Sequence, residues 1–436
     1  MSNLPDVIAR SETIPAMALA NADRFMDAEA VVDAGMRLTF AELGAAFRRS
    51  AAAMMAAGVE RGDRVAVWAP NSAAWVVAAV GLQAAGAALV PINTRFKGGE
   101  AADVLRRSRA RLLVTVTDFL GIDPVRMLAE TGVELPHVEE IVVASGRAPT
   151  GCTSWSAFLE AGAQVSDDDV ERRVASLGPD DVSDIMFTSG TTGAPKGVVM
   201  RHGQTLRQFG DWCDWAGLQA GDRYLVVNPF FHMFGYKAGW LACLLRGVTL
   251  IPVPVFDVEV VLDLVERERV TVFPAAPTVY QSILDHPSLP SRDVSSLRVC
   301  TTGAADIPVE LIRRMHAELP FEAILTGYGL TEAGTCTGSR RGDSVEAIAT
   351  TAGKPMPDIE VRVVAADGTP VPTGEPGEVV VRGFSVMAGY LDDPEATAAA
   401  VDADGWLHTG DLGAIDDDGA LRIVGRLKDM FIVGGF

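Results

Sequence analysis

At 436 residues the chain exceeds what one hydrophobic core ordinarily fills, so two or more subdomains are expected. Hydrophobic residues make up 48% and charged residues 22%, which excludes a disordered chain. The 37 Lys and Arg against 57 Asp and Glu give a net charge of −20 with no basic run, which disfavours a nucleic-acid-binding face.

The five cysteines (Cys152, Cys213, Cys243, Cys300, Cys336) are scattered and form no CxxC pair. They read as reduced packing residues of a cytoplasmic protein, without zinc or disulfides. The amino terminus shows no basic segment followed by an apolar one, so no signal peptide is expected.

Thr39-Phe-Ala-Glu42 is a capping box ahead of a helix over Leu43–Gly58. Then follow a strand at Arg64–Pro70, a helix at Ala73–Ala85, a strand at Ala87–Ile92, a helix at Gly99–Ser108 and a strand at Arg111–Val116. Ala73 to Ile92 is 20 residues without a charge, about the length of a membrane span. Gly81, Gln83, Gly86 and Pro91 interrupt it, and a buried helix, a glycine stop and a buried strand explain it better. The segment Asp118–Ser176 is less regular, with a strand at Glu139–Ser145 and an acidic turn at Ser166-Asp-Asp-Asp169.

A strand-like run ending Ile185-Met-Phe187 leads into Thr188-Ser-Gly-Thr-Thr-Gly-Ala-Pro-Lys-Gly197. These residues hold three glycines, four hydroxyls and one lysine. Glycines let backbone N–H groups converge, and the hydroxyls and ammonium add donors, which suits a polyphosphate. It is not a Walker loop: Lys196 lies between Pro195 and Gly197, and an extended run follows where a Walker loop opens a helix.

Strands are then expected at Tyr224–Asn228, Val248–Pro252, Val270–Phe273, Leu297–Thr301 and Ala323–Leu325, with helices such as Val258–Glu268 and Pro308–Leu319 between. From Gly353 onward Gly, Pro and Asp become dense, and short alternating runs (Glu360–Val364, Glu378–Arg382, Leu421–Val424) predict a small β-barrel or sandwich. The expected fold is α/β: two doubly wound subdomains (1–176 and 177–340), a β-barrel subdomain (341–425), and at 426–436 the start of a further apolar element.

Five later blocks carry chemistry. Pro229-Phe-Phe-His-Met-Phe-Gly235 surrounds one imidazole with aromatic residues, and taken alone His232 reads as a core histidine or as the wall of a pocket. Thr301-Thr-Gly-Ala-Ala305 joins a strand to a helix with side chains small enough for a flat ring to lie on the backbone. Gly327-Tyr-Gly-Leu-Thr-Glu-Ala-Gly334 places an aromatic between two glycines, then a hydroxyl, then a hard oxygen donor suited to Mg2+. Asp404-Gly-Trp-Leu-His-Thr-Gly-Asp411 and Gly425-Arg-Leu-Lys428 add a carboxylate and two cations.

In this order the blocks resemble the acyl-adenylate-forming (ANL) superfamily of acyl-CoA synthetases, luciferases and peptide-synthetase adenylation domains. The resemblance covers nearly the whole chain and implies an AMP-forming carboxylate–CoA ligase using ATP, Mg2+ and coenzyme A. It implies phosphate contacts from Thr188, Ser189, Gly190, Thr191, Thr192, Gly193 and Lys196, and an adenine cradle at Gly303, Ala304, Ala305, Gly327, Tyr328 and Gly329. Thr331 would meet the α-phosphate, Glu332 the Mg2+, Asp411 the ribose hydroxyls and Arg426 the ribose or α-phosphate, with Lys428 as hinge. An acyl pocket would be lined near Phe231, His232, Tyr236, Lys237, Thr302, Gly329 and Leu330. Lys237 offers a cation there or points to solvent, and no Asp marks an amino-acid substrate. Thr326 stands where relatives often carry Gln.

The implied acid is apolar: a medium- or long-chain fatty acid, or a steroid-degradation propanoate, since Phe231–Gly239 is similar to actinobacterial ligases for an indanedione propanoate. Two alternatives stay open: a fatty acyl-AMP ligase serving a carrier protein, and a non-catalytic nucleotide- or acyl-binding relative. Partners are small molecules, no membrane span is expected, and a homodimer is left open. The family's distal lysine segment is not found before Phe436, so adenylation is expected to need a further domain.

Overall fold

The computed structural model describes residues 11–188, 195–303 and 307–427. They divide into two units, 11–214 with 218–256, and 215–217 with 257–427.

In the first unit, strands β1 (Glu29–Asp33) and β2 (Met36–Thr39) form a hairpin whose two-residue turn, Ala34 and Gly35, has positive φ at both positions. The capping box at Thr39 and Glu42 starts a helix over Phe40–Ala56. β3 (Arg64–Trp68), β4 (Ala88–Pro91), β5 (Leu112–Val116), β6 (Glu140–Ser145) and β7 (Thr153–Ser154) are parallel. β8 (Val182–Thr188) adds in parallel to β4, and β9 (Lys196–Arg201) turns back antiparallel to β8, giving the order β9-β8-β4-β3-β5-β6-β7. The phosphate-loop strands, placed by sequence in a second subdomain, thus extend the first sheet. A smaller sheet joins β10 (Arg223–Val226) and β11 (Thr249–Pro252) to the β1–β2 hairpin.

Strands buried along their whole length, such as β4 and β5, need apolar residues facing both ways, which removes the two-residue alternation. Helix Ala73–Ala84 is apolar all round and buried at every position but Ala74, as befits a helix inside a core. No helix of the described residues is long and apolar enough to cross a membrane. Ser166-Asp-Asp-Asp169 is not a turn: Ser166 caps helix Asp167–Ala175 and Asp169 closes a capping box.

His202, 2% exposed, accepts a hydrogen bond at Nδ1 from the Ile14 backbone N–H (3.3 Å), the first residue of helix Ile14–Phe25. Burial pushes its pKa down to about 4. Because the unfolded chain binds a proton near the ordinary value of 6.5 and the folded one does not, stability is full above that pH and falls as pH drops toward about 4. Urea titrations across this window should show the loss, and His202→Gln should flatten it; an unchanged pH slope in that variant would assign the loss elsewhere.

In the second unit, β12 (Val299–Gly303) runs parallel to β13 (Ala323–Leu330), which folds back onto β14 (Gly334–Gly338) and β15 (Lys354–Pro355). Val270–Phe273 is not a strand; Val272 makes a single bridge to Val299. β16 (Ile359–Val364), β17 (Gly377–Gly383), β18 (Leu407–Ile415) and β19 (Leu421–Arg426) form a four-stranded antiparallel sheet in that order. Its edge strands β16 and β19 do not pair, so the expected barrel is an open sheet among the described residues.

Candidate active site

In the first unit, Thr188 ends β8 directly opposite Lys196, which begins β9, and Thr188 Oγ1 donates to the Lys196 carbonyl at 3.4 Å. Arg107, from helix Gly98–Ser108, donates to the Pro195 carbonyl and lies over the Phe187 ring at 5.3 Å. Both approaches to the phosphate loop are therefore tied to one guanidinium, a residue that sequence reading did not single out. Ser189, Gly190, Thr191, Thr192 and Gly193 lie outside the described residues.

The His232 segment is anchored by Asn71, whose amide donates to the Asn228 carbonyl (2.9 Å) and accepts from the Phe230 N–H (2.8 Å). Gly235 sits so close to this segment that a Cβ would lie 2.2 Å from the Pro229 carbonyl oxygen, so no side chain fits there. The exposed His232 accepts the Phe234 N–H at Nδ1 (3.2 Å), which leaves its proton on Nε2. Phe231 is half-buried beside it.

Tyr236 and Lys237 open a π-helical stretch, Tyr236–Leu241, and both are enclosed at 0% and 1% exposure. Lys237 Nζ lies 3.0 Å from Asp184 Oδ1 on β8, and Asp184 is itself 0% exposed. Ser183 Oγ donates to the other Asp184 oxygen at 2.7 Å, and Gln83 bridges the Tyr236 hydroxyl (3.0 Å) and the Ser183 carbonyl (2.9 Å). Burial lowers the Lys237 pKa and Asp184 opposes that fall. Lys237 does not point to solvent: it is a core ion pair, and the cation expected at an acyl pocket is already neutralised.

In the second unit, β12 and β13 bring Gly303 opposite Gly327, and Thr302 precedes Gly303 with a buried hydroxyl that has no partner among the described residues. Ala304 and Ala305 lie outside the described residues. Thr326 is not at a surface: its Oγ1 donates to the Ile348 carbonyl at 2.9 Å. β13 continues past the expected Leu325 to Leu330, with a register shift between Tyr328 and Gly329. Gly329 is exposed and Leu330 half-buried, and the hairpin turn that follows carries Thr331 and Glu332, both half-buried.

The Tyr328 hydroxyl donates to Asp411 Oδ2 at 2.7 Å, and Arg426 Nε donates to Asp411 Oδ1 at 3.0 Å. Asp411, 7% exposed, is held in turn by Thr409 Oγ1 on its own N–H (3.1 Å), while Glu378 receives the Gly410 N–H (3.2 Å) and lies 2.9 Å from His408 Nδ1. Tyr328, Asp411 and Arg426, far apart in sequence, thus form one cluster. A carboxylate has about four lone-pair sites; two are used here, and two stay open to further donors. Glu332 Oε1 accepts the Tyr390 hydroxyl at 3.0 Å. The buried Cys336 thiol, already pushed up by burial, is pushed further by the charges of both Asp411 and Glu332, so the two carboxylates share a neighbour. Lys428 lies outside the described residues.

Among the described residues no three His, Cys, Asp or Glu side chains gather as a ready-made metal cage. A single carboxylate with one oxygen left over is the donor set that Mg2+ takes when phosphates supply the rest, so Glu332 fits that ion.

Comparison with known proteins follows this geometry. Residues 19–391 match the AMP-binding enzyme family. The chain is 48% identical over 427 residues to a methyl-dioxo-octahydroindenyl propanoyl:CoA ligase of Rhodococcus jostii (strain RHA1), covering 97% of this chain and 81% of the relative. It is also 48% identical over 425 residues to the equally named ligase of Mycobacterium tuberculosis, with the same two coverages. The solved N-terminal domain of FACL13 from Mycobacterium tuberculosis superimposes with a TM-score of 0.83 at 29% identity, covering 94% of this chain and 99% of that one. A family match over residues 19–391, with relatives 48% identical along most of the chain, leads to one conclusion: the chain belongs to the AMP-binding enzyme family of acyl-adenylate-forming proteins.

Proposed function

We propose that the protein is an AMP-forming carboxylate–CoA ligase whose acid is a propanoate carried on a fused-ring diketone. The observation that carries this reading is the 48% identity along 97% of the chain to two ligases named for that acyl group.

The acid needs no general base, because a carboxylate is ionised at pH 7. The first half-reaction joins it to the α-phosphate of ATP with release of pyrophosphate, and the second passes the acyl group to the CoA thiol with release of AMP. The chain's part in the first is positioning and charge stabilisation. Thr188, Lys196 and the hydroxyls between them would hold the β- and γ-phosphates. Thr331 would donate to the α-phosphate, Asp411 would accept from the ribose, and Glu332 would hold the Mg2+, which offsets phosphate charge. His232, Phe231, Thr302 and Leu330 would border the acid.

The test supplies the full-length protein with ATP, Mg2+ and CoA and with the indanedione propanoate, octanoate, palmitate or ferulate, and measures AMP and thioester. AMP and thioester formed selectively from the ring-bearing propanoate are expected. Preference for octanoate would replace the acid, and acyl-adenylate accumulating with no CoA dependence would favour the carrier-protein reading. The proposal includes a cytoplasmic location, to which the five unpaired cysteines are suited, and a homodimer, to be measured by sedimentation.

A further inference from the structure

Tyr390 lies 58 positions from Glu332 in sequence and belongs to none of the blocks above, yet its hydroxyl meets the Glu332 carboxylate at 3.0 Å. Three further contacts hold it there. The Met387 N–H donates to the Glu332 backbone carbonyl at 2.7 Å, so the Tyr390 segment docks on the main chain of the same residue. The Tyr390 N–H donates to Thr397 Oγ1 at 2.9 Å, and Thr397 is fixed in helix Pro394–Ala400 by its bond to the Asp393 carbonyl. Gly389 adopts φ +147 with Thr397 Cγ2 3.1 Å from where a Cβ would stand, so the chain passes close to that helix and the ring turns toward Glu332. A phenol is protonated at neutral pH, so the Tyr390 hydroxyl is the donor and Glu332 Oε1 the acceptor.

We propose that Tyr390 is a positioning residue for Glu332: its hydroxyl occupies Oε1, fixes the rotation of the carboxylate, and leaves Oε2 as the oxygen offered to the Mg2+ of bound MgATP. The idea rests on the reading of Glu332 as the metal carboxylate. Without the hydroxyl, Glu332 on its hairpin turn can swing among rotamers, and only a fraction of them present an oxygen to the ion.

The experiment measures binding of α,β-methylene-ATP by calorimetry in saturating Mg2+ and in EDTA, for the parent chain, Glu332→Gln and Tyr390→Phe. The ratio of the two affinities is the metal coupling, and it is read without turnover. Glu332→Gln should abolish the coupling. Tyr390→Phe should cut it about 10-fold, in line with a lost hydrogen bond to a charged acceptor, while the affinity in EDTA stays unchanged. If Glu332→Gln keeps the coupling, the metal assignment itself fails. If Glu332→Gln loses it and Tyr390→Phe does not, the positioning role is overturned while the metal assignment stands. If Tyr390→Phe weakens binding equally with and without Mg2+, the residue is merely structural and the proposal falls. Should that variant fail to fold, Thr397→Val, which loosens the Tyr390 backbone tether, provides the same reading: a smaller drop in coupling supports the role, and none refutes it.

Discussion

Asp411→Asn should weaken AMP binding by about 100-fold with the fold intact, because two charge-assisted hydrogen bonds at about 1.5 kcal/mol or more each are lost. Asp411 already accepts from Tyr328 at one oxygen and from Arg426 at the other. An amide keeps only one acceptor oxygen and turns two donors outward. Whichever way it flips, either Arg426 or Tyr328 meets the NH2 group, and the ribose loses an acceptor. Calorimetric titration with AMP measures the change, and circular dichroism checks the fold. An affinity within about threefold of the parent chain would remove Asp411 from the nucleotide site.

Lys237→Met should lower stability by about 3–5 kcal/mol, since it strands the Asp184 carboxylate in the core. The partners are 1% and 0% exposed, so water cannot replace the lost ammonium. Adding Asp184→Asn should restore part of the loss, because an amide costs far less to bury than a charge. Urea midpoints for both single variants and the double variant check this as a cycle. A Lys237→Met cost below about 1 kcal/mol would mean that the pair contributes little. Acid preference should change less than stability, because Lys237 is enclosed and already neutralised.

What the sequence made legible was local. Capping signals are written in neighbouring residues, so the box at Thr39 and Glu42 that starts helix Phe40–Ala56 could be read directly. The β1–β2 hairpin turns on Ala34 and Gly35, a pair outside the dipeptides that mark a two-residue turn, so no local pattern announces it. Ser166–Asp169 was misread because three aspartates look like a turn until the Ser166 cap is seen to start a helix. β13 hid its length behind Gly327 and Gly329, residues that ordinarily weaken a strand; here Gly327 is paired on both sides, with Gly303 and Gly338, and Gly329 with Thr335.

The missed partners all act across long separations in sequence. Lys237 reads as a lone cation in an apolar run, and Asp184 as a lone acid in another; only the fold makes them a pair. Arg107 holding Pro195, Glu378 steadying the Asp411 turn and Tyr390 meeting Glu332 likewise join positions 88, 32 and 58 apart. No local pattern encodes them.

One ribbon, β13 with β14, carries Tyr328, Thr331 and Glu332, and the irregular step beside Tyr328 is its only break in register. Side chains that ride on one ladder open and close with it. Amide exchange should therefore release this stretch as a block, and in that open form the proposed contacts of Tyr328, Thr331 and Glu332 would all be lost together.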